Sequence, residues 1–181
     1  MTNDSEAMER VRLILAELNI PQVLIERRSL PLCAEAAELE LAEVGDDGRE
    51  YRLTPAAAAA WRKMKAAAAA EGVVLRLISA FRSIDRQVEI LREKLAEGQT
   101  VDEILAASAP PGYSEHHTGR AIDIDTDGAA PLEIDFERTP AFAWLGRNAA
   151  RYGFVLSFPE GNRYGYQYEP WHWFYTDDAR G

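Results

Sequence analysis

Between Gly119 and Asp125 the chain reads GRAIDID, an alternation that fits an extended strand with two unlike faces: Ala121, Asp123 and Asp125 on one, Ile122 and Ile124 on the other. Immediately upstream, YSEHHTG carries two of the chain's 3 histidines, His116 and His117, and the acidic run continues to Asp127. Any fold built around this stretch has to supply a core for the isoleucines and a use for the clustered imidazoles and carboxylates.

The flanking sequence sets the architecture. Residues 5–18 place Met8, Val11, Leu15 and Leu18 on one helical stripe that ends before Pro21. LELAEV and REYRL, joined by the turn GDDG, read as a hairpin. Thr54 and Pro55 are an N-cap and first-turn pair for an alanine-rich helix running to about Ala70, with Trp61 and Met64 to bury and Gly72 as its stop. VVLRLISAF reads as a strand, SIDRQVEILREKLAEG as a helix closing at Gly98, and TVDEILAAS as a short helix broken by Pro110, Pro111 and Gly112. After a polar loop, Thr139 and Pro140 open a helix that Gly153 closes, and FVLSF and WHWFYT supply the last strands. Strands and helices do not alternate strictly, so the expected class is α+β, a small, largely antiparallel sheet flanked by helices. With no repeat or linker, residues 1–181 are expected to form one domain, 1–50 adding a helix and hairpin to a core over 55–176.

A hydrophobic share of 47% is enough for a substantial core, and a net charge of −10 argues against nucleic acid or anionic membranes as partners. No run of eighteen apolar residues and no secretory pattern is visible, so a cytoplasmic location is expected. The single cysteine, Cys33, excludes an internal disulfide.

DIDTDG, residues 123–128, opens like a calcium loop, but the twelfth position is Ile134 where a bidentate Glu is needed, and the preceding segment is a strand. The third histidine, His172, follows Glu169 in YEPWHW, where Pro170 permits a bend that turns Glu169 toward the same site. Two imidazoles and a carboxylate are enough for catalytic zinc, with a second carboxylate to take a proton from water. On spacing alone the candidates are His116 or His117, Asp123 or Asp125, His172, and Glu169 as base.

These residues resemble a known family. SEHHTGRAID fits the pattern SxHxxGxAxD, and EPWH fits ExxH, of the VanY-type zinc D-alanyl-D-alanine carboxypeptidases and dipeptidases, which belong with the lysostaphin and sonic-hedgehog fold group. SAFRS followed by Gln87 is similar to the family's arginine-bearing segment. The resemblance spans residues 73–176 and implies one zinc ion on His116, Asp123 and His172, with Glu169 as catalytic base. It further implies that Arg82 stabilises the oxyanion or holds the substrate's terminal carboxylate, and that Ser114 and Gln87 orient the peptide. Trp171 and Tyr168 are weaker candidates for a cleft wall, while His117 and Asp125 become neighbours. Phe174 and Ser157 depart from basic residues often found at those positions, which bears on substrate preference.

The implied function is removal of a C-terminal D-alanine from a peptidoglycan stem peptide or muropeptide, with a cytoplasmic setting favouring L,D-cleavage of murein tetrapeptide during recycling. The alternatives are D,D-carboxypeptidase or D-Ala-D-Ala dipeptidase activity. A zinc-stabilised, hedgehog-like binding module is the non-enzymatic rival, and it has no need of a spare base such as Glu169.

Overall fold

A computed structural model describes residues 2–176. Helices α1 (Thr2–Glu17) and α2 (Gln22–Arg27) precede a hairpin of β1 (Glu40–Val44) and β2 (Glu50–Leu53). Then follow α3 (Pro55–Ala70), β3 (Arg76–Ser79), α4 (Ile84–Ala96), α5 (Val101–Ala107), β4 (Ala121–Asp125), α6 (Pro140–Asn148), β5 (Phe154–Leu156) and β6 (His172–Tyr175). The hairpin is a two-stranded sheet of its own, and the other strands form a four-stranded sheet in the order β3-β4-β6-β5, every pairing antiparallel. The class is α+β. No helix among the described residues is long and apolar enough to cross a membrane.

The sheet's apolar face follows from the alternation in β4. Ile122 and Ile124 are fully buried with Leu77 of β3, packed with Trp61 and Met64 of α3, Trp144 of α6 and Phe154 of β5. The hairpin is tied to this core through Glu43, whose carboxylate accepts from Trp61 Nε1 (2.9 Å) and from the Leu77 backbone (3.2 Å) and meets Lys65 Nζ (2.9 Å). A second cluster joins Val11, Leu15 and Leu18 of α1 to Leu91 of α4, Ile104 and Leu105 of α5, and Phe158 and Tyr166 from the loop before β6. The site lies where this loop meets β4.

Several local expectations need correction. Met8 is 52% exposed although it shares a helical stripe with the buried Val11 and Leu15, because the second cluster covers the stripe only from Val11 onward. The extended segment VVLRLISAF pairs only over Arg76–Ser79. Thr54 occupies the N-cap of α3 and Pro55 its first turn, but the Thr54 side chain makes no capping bond; its backbone N–H donates instead to Gly119 O (2.9 Å). A 3₁₀ turn at Ile134–Arg138 lies within the stretch read as a polar loop, and the six-residue α2 follows Pro21 without a side-chain cap to announce it.

Candidate metal centre

The geometry begins at the exit of β3. Ala80 and Arg82 lie alongside a 3₁₀ turn at Glu115–Thr118 and hold both of its histidines: Nδ1 of His116 meets Ala80 O at 2.7 Å, and Nδ1 of His117 meets Arg82 O at 2.7 Å. A carbonyl only accepts, so each Nδ1 carries the hydrogen. The two rings then differ in what remains. Nε2 of His117 accepts from the Gly112 backbone (3.1 Å), so both its nitrogens are spent within a wholly buried staple. Nε2 of His116 keeps its lone pair and points at Asp123 Oδ2, 3.2 Å away. That difference separates the adjacent histidines, which spacing left equivalent.

Gly119 ends the turn with φ of +64° and delivers the chain into β4. A side chain there would clash, since a Cβ would sit 2.8 Å from Leu39 Cδ2 and 3.1 Å from Ala36 Cβ. On β4, Asp123 stands directly across from His172 of β6, and its Oδ1 lies 3.0 Å from His172 Nδ1. One ligand atom from each of His116, Asp123 and His172 falls within a 4.8 Å group, and all three residues are buried. Asp125 is occupied elsewhere. It pairs with Arg76 (3.1 Å), which also holds Asp127 (2.8 Å), so the calcium-like stretch is closed by a guanidinium.

Glu169 reaches the site through a turn in which the His172 backbone donates to Glu169 O (3.1 Å), bringing Glu169 Oε2 to 3.9 Å from His172 Nδ1. Burial chiefly pushes the Glu169 carboxyl up to about 7, with the charge on Asp123 adding to it and the charges on His172 and Arg82 opposing. Burial would also raise Asp123, but contact with His116 and His172 outweighs it and leaves the carboxylate far below its ordinary range. His116 is driven down by burial and stays neutral, whereas for His172 hydrogen bonds to Asp123 and Glu115 overcome burial and raise it to about 10.

Glu115 is the participant that sequence reasoning missed. Its carboxylate lies 2.9 Å from His172 Nε2, and Ser157 also hydrogen-bonds to it. Burial would raise this carboxyl, yet the His172 and Ser157 contacts hold it below its usual value. Glu115 fell at an unspecified position of the SxHxxGxAxD pattern, and only the folding of β6 against β4 brings it to His172. Phe158 completes the surround, stacked on the His172 ring with centroids 4.6 Å apart and planes 24° apart.

The triad opens into a cavity of about 410 Å³ whose lining includes Arg82, Ser114, Glu115, Glu169 and Trp171. Arg82 donates to Gln87 Oε1 (2.9 Å) and Ser79 Oγ (3.0 Å), and Gln87, fully buried, donates in turn to Ala109 O (2.8 Å). Gln87 thus lies behind Arg82, outside the cavity lining. Tyr168 is also outside that lining and has Glu137 as a hydrogen-bonding neighbour.

The donor set fits a zinc ion. It offers two imidazoles and a carboxylate, with His116 Nε2 unprotonated, Glu115 beside the far nitrogen of His172, and a second carboxylate, Glu169, 3.9 Å from the same ring.

The family model for the D-alanyl-D-alanine carboxypeptidase VanY matches residues 50–178. The Bacillus subtilis (strain 168) protein YodJ is 32% identical over 178 residues, covering 94% of this chain and 64% of its own length. A D-alanyl-D-alanine carboxypeptidase of Enterococcus faecalis is 36% identical over 120 residues, covering 61% of this chain and 43% of that enzyme. The chain therefore spans less than two thirds of either relative. Among solved structures, the LdcB LD-carboxypeptidase superposes with a TM-score of 0.70 at 33% identity, covering 78% of this chain and 69% of that one. A mutant of the vancomycin-resistance D,D-pentapeptidase VanY in complex with Zn(II) gives 0.61 at 30% identity, covering 82% and 88%. With the match extending through both halves of the metal site, the chain belongs to the VanY family of D-alanyl-D-alanine carboxypeptidases.

Proposed function

We propose that this protein is a zinc-dependent carboxypeptidase that removes the C-terminal D-alanine from peptidoglycan stem peptides, with L,D-cleavage of the tetrapeptide as its main reaction. The observation carrying this reading is the convergence of His116, Asp123 and His172 within 4.8 Å, with Glu169 beside them and Arg82 in the same cavity. The L,D preference rests on the likeness to LdcB, at a TM-score of 0.70 against 0.61 for the VanY D,D-pentapeptidase.

Zinc on His116, Asp123 and His172 would supply Lewis acidity to the scissile carbonyl and acidify water in the site. The protein's own groups do the rest. Glu169, whose carboxyl is raised to about 7, takes a proton from the attacking water as its oxygen bonds to the carbonyl carbon. Glu169 then delivers that proton to the departing amine as the C–N bond breaks, which leaves free D-alanine and a shortened peptide. Arg82, tethered by the neutral Gln87 and Ser79, presents its remaining guanidinium N–H groups to the substrate's terminal carboxylate. Ser114 and Trp171 line the cavity where the peptide backbone would pass.

The test is to incubate the purified protein with stem tetrapeptide and pentapeptide, with and without chelator, and to follow free D-alanine. Faster release from the tetrapeptide, abolished by chelator and restored by zinc, is expected. Faster release from the pentapeptide would make the enzyme D,D-specific, and release from neither would remove the carboxypeptidase reading. Glu169→Gln should retain zinc while losing at least about 100-fold in turnover.

A further inference from the structure

We infer that Lys94, on the last turn of α4, binds a carboxylate on the substrate peptide two to four residues before its C-terminal residue. The inference rests on the carboxypeptidase reading for the direction of the peptide, and on the cavity itself for the site.

The cavity that holds the metal-ligand triad extends along α4 to Ile90 and Lys94, beside Ala107 and Ser108. Arg82 and Lys94 are the only arginine or lysine side chains lining it among the described residues. Both are held by neutral oxygens. Arg82 donates to Gln87 and Ser79, and Lys94 Nζ donates to Ser108 Oγ at 2.8 Å. Neither forms an ion pair among the described residues, although acidic residues outnumber basic ones 30 to 20. The nearest acid in sequence, Glu93, is engaged by Arg86 (3.1 Å), which also holds Glu89 (2.9 Å). The cavity's own carboxylates, Glu115, Asp123 and Glu169, are grouped around His172. An ammonium on a half-buried lysine, without a carboxylate partner among the described residues and lining a cleft in an acidic protein, is suited to an anion that arrives with the ligand.

Spacing gives the register. From Ile84 to Lys94 the helix axis advances about 15 Å at 1.5 Å per residue. An extended peptide covers about 3.3–3.6 Å per residue, so a chain anchored by its terminal carboxylate at Arg82 passes Lys94 about four residues back. The reach of the two cationic side chains shortens that to two or three. An amide or an apolar residue there would leave the ammonium without a counter-charge, so the matching substrate is an acidic peptide.

The experiment uses zinc-loaded Glu169→Gln protein, so that peptides are bound and not consumed, and measures affinity by calorimetry. The probes are N-acetylated peptides ending in D-alanine, in pairs that differ only by glutamate or glutamine two, three or four residues before the end. At one of these positions the glutamate peptide should bind about two- to fivefold more tightly, the worth of a half-solvated ion pair, and the margin should shrink in high salt. Lys94→Met should erase the margin, while Lys94→Arg, which keeps the charge and controls for folding, should retain most of it. Equal binding at all three positions, or a margin that survives Lys94→Met, overturns the inference. Turnover of the same peptides by the native protein separately tests the carboxypeptidase reading, since failure to cleave leaves the affinity comparison intact.

Discussion

Glu115 stands 2.9 Å from Nε2 of His172, at the ring nitrogen opposite the one that faces Asp123. It therefore fixes which nitrogen of His172 is left for a metal, and holds the ring against rotation. Glu115→Ala is expected to weaken zinc binding by about 10- to 100-fold, and Glu115→Gln, which keeps an acceptor, by less. Competition with a chromophoric chelator measures this directly. Unchanged affinity in the alanine variant would mean that Phe158 and Asp123 suffice to hold the ring.

The proton on His172 gives zinc binding a pH dependence of known sign. Without metal the ring stays protonated up to about 10, and a metal needs Nδ1 bare, so binding expels a proton. Affinity should rise between about pH 6.5 and pH 9, by up to about tenfold per unit. The same shift acts on the metal-free fold. The pKa is raised above its ordinary 6.5, so the contribution of the charged ring is complete below that value and disappears as pH climbs through about 10. Zinc titrations in buffers of different ionisation heat should report the released proton, and melts in EDTA the loss of stability. Affinity that is flat with pH would exclude a protonated His172.

Gly119→Ala should cost about 1–3 kcal/mol, because φ of +64° is strained for an L side chain and the new Cβ would meet Leu39 at 2.8 Å. The turn carries His116, so zinc affinity should fall with stability. Urea unfolding, with and without zinc, reads both. A loss below about 0.5 kcal/mol would show that Leu39 and Ala36 yield without strain.

Cys33 is buried, and burial chiefly, with the charge of Glu115 adding, pushes its thiol up to about 12. Native protein at about pH 8 should leave a disulfide reagent unconsumed, and denatured protein should consume one equivalent. Rapid native labelling would show that the segment tying Cys33 N–H to Gly112 O opens readily.

The alternation in β4 was enough to put Asp123 and Asp125 on one face and Ile122 on the core face, because a strand has only two faces, and the family pattern then picked Asp123 of the two. His172 was a candidate by residue type alone, although its strand is only four residues long and Pro170 and the Glu169 turn break its periodicity. The family pattern picked His116 over His117, but the physical cause lay beyond the sequence, because it is made by Ala80, Arg82 and Gly112, which reach the two rings only after β3 and the 3₁₀ turn have come together. Glu115 was hidden for the same reason, 57 residues from its partner. Nothing in the sequence of its helix singles out Lys94, and only the course of the cavity along α4 distinguishes it.

Asp123 and His172 are direct partners across β4 and β6. Sliding β6 by a single residue would carry the imidazole to the face now filled by Ile122 and Trp173, where no carboxylate waits for it. A bound metal would thus act as a lock on strand alignment, and the tightness with which the protein holds zinc would measure how faithfully the central pair of its sheet has zipped.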